Sequence, residues 1–175
     1  MTIGIAAILA GLAAPSIRDF LMRQRMTGIA NDFNASVLRA RNQASSRNVC
    51  TTMCMSSNPG GTSPTCESSG SDWQQGWIAF FNADCNGSIS GPKQASDIFL
   101  IHESVGNDYL LQTQSSKRKI TFNALGNNSV NGTSEFDIIY KDTSTNETKK
   151  YGLNICLDAL GRTRIIPGEN SCSNY

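Results

Sequence analysis

The chain has 175 residues, enough for about one domain with a core of its own. Charged residues make up 17%, below the roughly 25% of an average soluble protein. A net charge of +1 excludes a surface that attracts nucleic acid everywhere, so any phosphate contact must sit on a local patch. A single histidine, His102, excludes most histidine-based catalytic and zinc constellations.

From Met1 to Ile17 there is no charged residue. This apolar run is short of the roughly 20 helical residues needed to span a bilayer, and it lacks the basic flank and cleavage site of a secretory signal. A few preceding residues are expected to be missing. Beyond Pro15 the pattern turns amphipathic, with Met22, Met26, Ile29, Phe33, Val37, Ala40 and Ala44 recurring three or four apart. That period predicts one long helix over residues 1–47, with an apolar half 1–17 and an amphipathic half 18–47. Pro15 and Gly28 are expected to bend or loosen it.

After Arg47 short β-prone runs alternate with turn chemistry. Strands are expected near Val49–Met55, Gly76–Phe81, Asp97–Glu103, Tyr109–Gln114, Lys119–Asn123, Phe136–Lys141, Lys149–Leu157 and Arg162–Ile166. The stretches between them are rich in Asn, Gly, Pro and Ser, as at Asn86-Gly87, Gly126-Asn-Asn-Ser, Asn131-Gly132 and Thr143-Ser-Thr-Asn146. The second unit is therefore a β-domain over 48–175. Its six cysteines form no Cys-x-x-Cys pair and point to disulfides in an oxidising compartment. Fifteen pairings are possible. The most economical set joins Cys54 to Cys66 and Cys156 to Cys172, leaving Cys50 with Cys85.

A long N-terminal helix, apolar and then amphipathic with Pro15 near the change, joined to a disulfide-bearing β-domain, resembles type IV pilins and pseudopilins. The run Ile3-Gly-Ile-Ala-Ala-Ile-Leu-Ala-Gly-Leu-Ala-Ala-Pro15 is similar to the second part of the pilin N-terminal signature, whose Gly-Phe cleavage site and following glutamate do not appear. Arg39-Ala-Arg41-Asn-Gln-Ala44, Asp72-Trp-Gln-Gln-Gly-Trp77-Ile-Ala-Phe-Phe81 and Leu160-Gly-Arg-Thr-Arg-Ile165 resemble the GspH/FimT group of minor pilins and pseudopilins. The resemblance implies an α+β, pilin-like fold in which the helix packs on an antiparallel β-domain. It also implies a single-pass inner-membrane anchor before assembly, a periplasmic β-domain, and later a place in a pilus at the cell surface among major and minor pilins.

Gly161-Arg162-Thr163-Arg164 is the candidate functional motif. Side chains alternate along a strand, so Arg162 and Arg164 share a face about 7 Å apart, a spacing that suits neighbouring phosphates. Gly161 supplies the turn that places them near a hairpin tip. In FimT-like proteins such a C-terminal element is implicated in gripping double-stranded DNA during natural transformation, which makes DNA an expected partner. Arginines so placed also form ordinary salt bridges, and the wider family often ends in a similar sequence.

The net charge conceals segregation: residues 1–47 carry +4, residues 48–112 carry −5 and residues 113–175 carry +2. Lys117, Arg118, Lys119, Lys149 and Lys150 stand at expected strand starts and could widen a basic face. They could equally be solvated loop charges. The helix arginines fit lipid head groups or neighbouring subunits better. Trp73, Trp77, Phe80 and Phe81 read as core, and His102 as a packed residue. Asp84, Asn86 and Ser88 lack the remaining positions of a calcium loop. No cofactor, metal or catalytic residue is expected. The sequence thus reads as a non-enzymatic minor pilin that binds DNA, or alternatively as a structural minor pilin or type II secretion pseudopilin that does not.

Overall fold

Residues Thr2–Arg47 form a single helix, α1, which runs unbroken through Pro15 and Gly28. The computed structural model describes the backbone of residues 2–113, 117–128, 133–141 and 150–174, with side chains from 17 to 173 within those stretches. The side chains of the apolar run before Ile17, the turns expected at Asn131-Gly132 and Thr143–Asn146, and Lys149 lie outside them.

The amphipathic pattern of α1 has a direct counterpart in packing. Met26, Ile29, Ala30, Phe33, Val37, Ala40 and Ala44 are buried on one stripe, with Met22 packed at its lower edge. Apolar positions three and four apart fall on one side of a helix, and burying that side removes them from water. The charged residues Arg18, Arg23, Arg25, Arg39 and Arg47 stay off this stripe.

Eight strands follow: β1 (Thr51–Met55), β2 (Trp77–Phe81), β3 (Ile98–His102), β4 (Tyr109–Thr113), β5 (Lys119–Phe122), β6 (Ser134–Tyr140), β7 (Leu153–Leu157) and β8 (Thr163–Pro167). They form two antiparallel four-stranded sheets, ordered β3-β2-β1-β5 and β4-β6-β7-β8. Both sheets contribute to the core under α1. Met53, Trp77, Ala79, Ile120 and Phe122 come from the first, and Leu111, Phe136, Ile138, Ile155 and Leu157 from the second. Phe33 sits at the junction, 5.3 Å from each of Trp73 and Trp77 in edge-on contacts and 4.9 Å from Phe136. Such aromatic pairs add about 0.5–1.5 kcal/mol each beyond the area they bury.

Trp73, Trp77 and Phe80 are fully buried, and Trp77 stacks on His102 at 3.9 Å. The first sheet is covered on its other face as well, by Cys66 and Ile89 over Ile78 and Phe80. This double coverage explains why β1 is buried along its whole length.

Element ends depart from the periodicity reading where the backbone does something local. β1 starts at Thr51, because Asn48 takes φ 53° and the Val49 N–H donates to Ala44 O at 3.1 Å to close the helix. The strand expected from Lys149 starts only at Leu153. Lys150 and Tyr151 have helical backbone and bond to Asp19 on α1, so they do not join the ladder.

Three disulfides tie the β-domain: Cys50–Cys85, Cys54–Cys66 and Cys156–Cys172. The first two hold the segments that cross the first sheet. The third fastens the C-terminal tail over β7, where Asn154 Nδ2 also donates to Asn170 O at 2.8 Å.

Candidate nucleic-acid interface

The β7–β8 hairpin is built from its turn upward. The Asp158 N–H donates to Arg162 O at 3.0 Å and the Gly161 N–H donates to Asp158 O at 3.1 Å. This is a three-residue loop closed by a glycine bulge, and it needs a left-handed residue at its last position. Gly161 supplies φ +75°. A side chain there would also collide: a Cβ would lie 2.5 Å from Gly126 O and 3.0 Å from Arg41 Nε. The tip is thus seated rather than free. Arg41 Nε donates to Gly126 O at 3.1 Å, and the Asn128 N–H donates to Ala159 O at 3.0 Å. Gly161 is buried and acts through the turn, not as a contact surface.

Arg162 closes the loop, and β8 begins one residue later. Its side chain is tied back: Arg162 Nε donates to Asp158 Oδ2 at 2.6 Å, and its own N–H donates to Asp158 Oδ1 at 2.8 Å. Burial works to raise the Asp158 pKa, but the hydrogen bonds and positive charge of Arg162 outweigh it and hold the carboxyl below its usual range. The Arg162 side chain remains 64% exposed despite this pairing.

Arg164 stands opposite Cys156 in the ladder, and Cys156 opposite Glu135. Side chains in one such row share a face. Arg164 therefore projects from the outer face of the second sheet, on its edge strand, and is exposed. Its side chain makes no ion pair or hydrogen bond among the described residues. Arg162, two positions earlier, belongs to the same face. Glu135 is occupied on that face by the Asn154 amide and the Cys172 N–H.

Among the described residues, the other expected basic side chains, Lys117, Arg118, Lys119 and Lys150, do not gather around this pair. Lys117 is half-buried, and its ammonium donates to Ser134 Oγ at 2.7 Å. Ser134 pairs with Leu157 and Leu157 with Thr163, so Lys117 lies about 10 Å from β8 but against the core-facing side. Burial lowers its pKa. Lys119 donates to Ile89 O, and it lines a cleft with Arg118 on the first sheet. Lys150 pairs with Asp19 near the lower part of α1. Sequence reasoning missed Asp158 and Arg41, which fix the hairpin. The one available signal was an acid four residues before Arg162 across a glycine turn.

The family described as type II transport protein GspH matches residues 30–161, which span the amphipathic helix and the β-domain as far as Gly161. The chain belongs to the GspH family. No curated relative matches the sequence. The fold of this GspH-family protein is similar to that of the type IV minor pilin FimU of Pseudomonas aeruginosa. One crystal form of FimU superposes with a TM-score of 0.61 at 19% identity, covering 88% of this chain and 97% of the other. A second crystal form gives 0.55 at 19% identity, with 84% and 97% covered. The fold is that of a type IV pilin, and the family is one of minor pilins and pseudopilins, which associate with other pilins. Among the described residues no helix is long and apolar enough to cross a membrane.

Proposed function

We propose that this GspH-family protein is a minor pilin of a type IV pilus that binds extracellular double-stranded DNA without sequence preference, as a receptor for uptake in natural transformation. The carrying observation is the pair Arg162, exposed at the end of the hairpin loop, and Arg164, exposed two residues on along the edge strand β8, next to a turn seated by backbone hydrogen bonds. Two cations at that spacing suit successive phosphates, and a fixed backbone spares the ordering cost of gripping them. Within the helix 1–47, the apolar half 1–17 would anchor the protein in the inner membrane and then join the core of the fibre, while the amphipathic half 18–47 carries the β-domain. Residues 48–175 would be presented first to the periplasm and then at the cell surface. The reading assigns no chemistry to the chain, so the protein is a non-enzymatic receptor.

A second reading is supported by Asp158. Its ion pair neutralises part of the positive charge at the hairpin, as expected of a structural element, and the family description names a type II transport protein. On that reading the chain is a structural minor pilin or a type II secretion pseudopilin without DNA contact. Anisotropy titration of a labelled duplex with the detergent-solubilised full chain separates the two. DNA capture requires saturable binding that weakens steeply with salt and is lost in Arg162→Ala/Arg164→Ala. Equal binding by wild type and the double variant removes the arginine assignment, and no binding at high protein concentration favours the structural reading.

A further inference from the structure

A second cationic site lies away from the hairpin, at the start of β5. There a cleft of about 520 Å³ is lined by Arg118 and Lys119 together with Ser68, Ser88 and Ser90. Its walls are tied by a disulfide, a backbone hydrogen bond and a side-chain hydrogen bond. Cys54–Cys66 anchors one rim to β1, and the Cys66 N–H donates to Ser90 O at 2.8 Å, joining that rim to the other. Lys119 donates to Ile89 O and so pins the second rim to β5.

The cleft carries two cationic side chains and three serine hydroxyls against one carboxylate, Glu67. Arg118 is half-buried, and its guanidinium has no hydrogen-bond or ion-pair partner among the described residues. The hydroxyls of Ser68, Ser88 and Ser90 likewise have none there. Glu67 is the carboxylate on the lining, and its Oε1 is engaged by the Ser57 hydroxyl and N–H. Burial first, and then the neighbouring Arg118 charge, lower the Lys119 pKa. A volume of this size is in the range of small-ligand pockets and accommodates a sugar-phosphate unit.

We propose that this cleft binds the phosphate of a nucleotide-sized ligand, with Arg118 as the planar, multidentate donor and Lys119 and the serine hydroxyls completing its shell. The phosphate could belong to a free mononucleotide or to one unit of a nucleic-acid chain. The site does not depend on the hairpin arginines.

The test is an NMR titration of the ¹⁵N-labelled, detergent-solubilised full chain with inorganic phosphate, a deoxynucleoside 5′-monophosphate and a short duplex, each against chloride at matched ionic strength. Saturable shifts confined to residues 66–68, 87–90 and 118–119 are expected with the mononucleotide. Arg118→Gln should weaken that binding at least tenfold, while Arg162→Ala/Arg164→Ala leaves it unchanged. A response to the duplex at the same residues assigns the phosphate to a nucleic-acid chain, and a response to the small probes alone assigns it to a free ligand. No saturable shift in the cleft with any probe, or equal affinity in Arg118→Gln carrying an unaltered spectrum elsewhere, overturns the proposal. If Arg118→Gln does not fold, Lys119→Gln is read by the same criterion, and the wild-type shift map alone decides whether the site exists.

Discussion

Arg162 grips Asp158 twice, through Nε at 2.6 Å from one carboxylate oxygen and through its backbone N–H at 2.8 Å from the other. One acid thereby sets the loop geometry and the direction of a cationic side chain. The Asp158 side chain is only 10% exposed, so these charge-assisted bonds are poorly replaced by water. Asp158→Ala is expected to destabilise the protein by about 1–3 kcal/mol in urea unfolding, since it leaves the Arg162 N–H without its acceptor.

The same pair has a pH signature. The folded carboxyl titrates below its ordinary value, so its contribution is fully present above the unfolded value of about 3.9 and is lost as pH falls through the folded one. Urea midpoints measured from pH 6 downward should fall more steeply below about pH 4 for the wild type than for Asp158→Asn. Parallel curves for the two proteins would contradict the linkage.

Gly161 carries both a left-handed backbone and a packed neighbourhood. Gly161→Ala should cost about 1–3 kcal/mol for the backbone alone. The collision with Gly126 O adds to that, because a carbonyl fixed by Arg41 cannot move aside cheaply. Thermal unfolding of the variant checks the total.

For DNA, the two arginines are predicted to be unequal. Arg162 shares its charge with Asp158, whereas Arg164 has no described partner, so Arg164→Ala should weaken duplex binding more than Arg162→Ala. If each contacts one phosphate, the double variant lowers the magnitude of the log–log salt slope by about 2. Anisotropy titrations at several salt concentrations read both effects.

The Cys156–Cys172 bridge closes a separation of 16 residues and holds the tail over β7. Replacing both cysteines by alanine should cost about 3 kcal/mol by loop entropy and increase hydrogen exchange at Asn154 and Cys156. Equal protection in the variant would show that the tail stays docked by Asn154 and Glu135 alone.

The helix and the strands were legible because each rests on a local period. Seven apolar positions from Met22 to Ala44 recur at helical spacing, and these residues line the core. Ser134–Tyr140 alternates buried and partly buried positions, as a strand with one face on the core must. Legibility stopped where a distant residue decides. Lys150 has the composition of a strand start, yet its backbone is helical and its ammonium pairs with an acid 131 residues away on α1. Lys117, Arg118 and Lys119 are adjacent in sequence, yet one faces the core side and two line a separate cleft.

The amino-acid sequence by itself determined a long helix with one apolar stripe, a cysteine-bearing β-domain and a glycine turn carrying two arginines on one face. These follow from side-chain alternation, helical period and the backbone freedom of glycine, all of which act within a few residues. Only the tertiary structure decided which of the fifteen cysteine pairings forms and how strands divide between two sheets. It also decided which cations stand free, pair with an acid or turn inward. Those outcomes depend on which surfaces meet across the core, and no local pattern encodes that meeting.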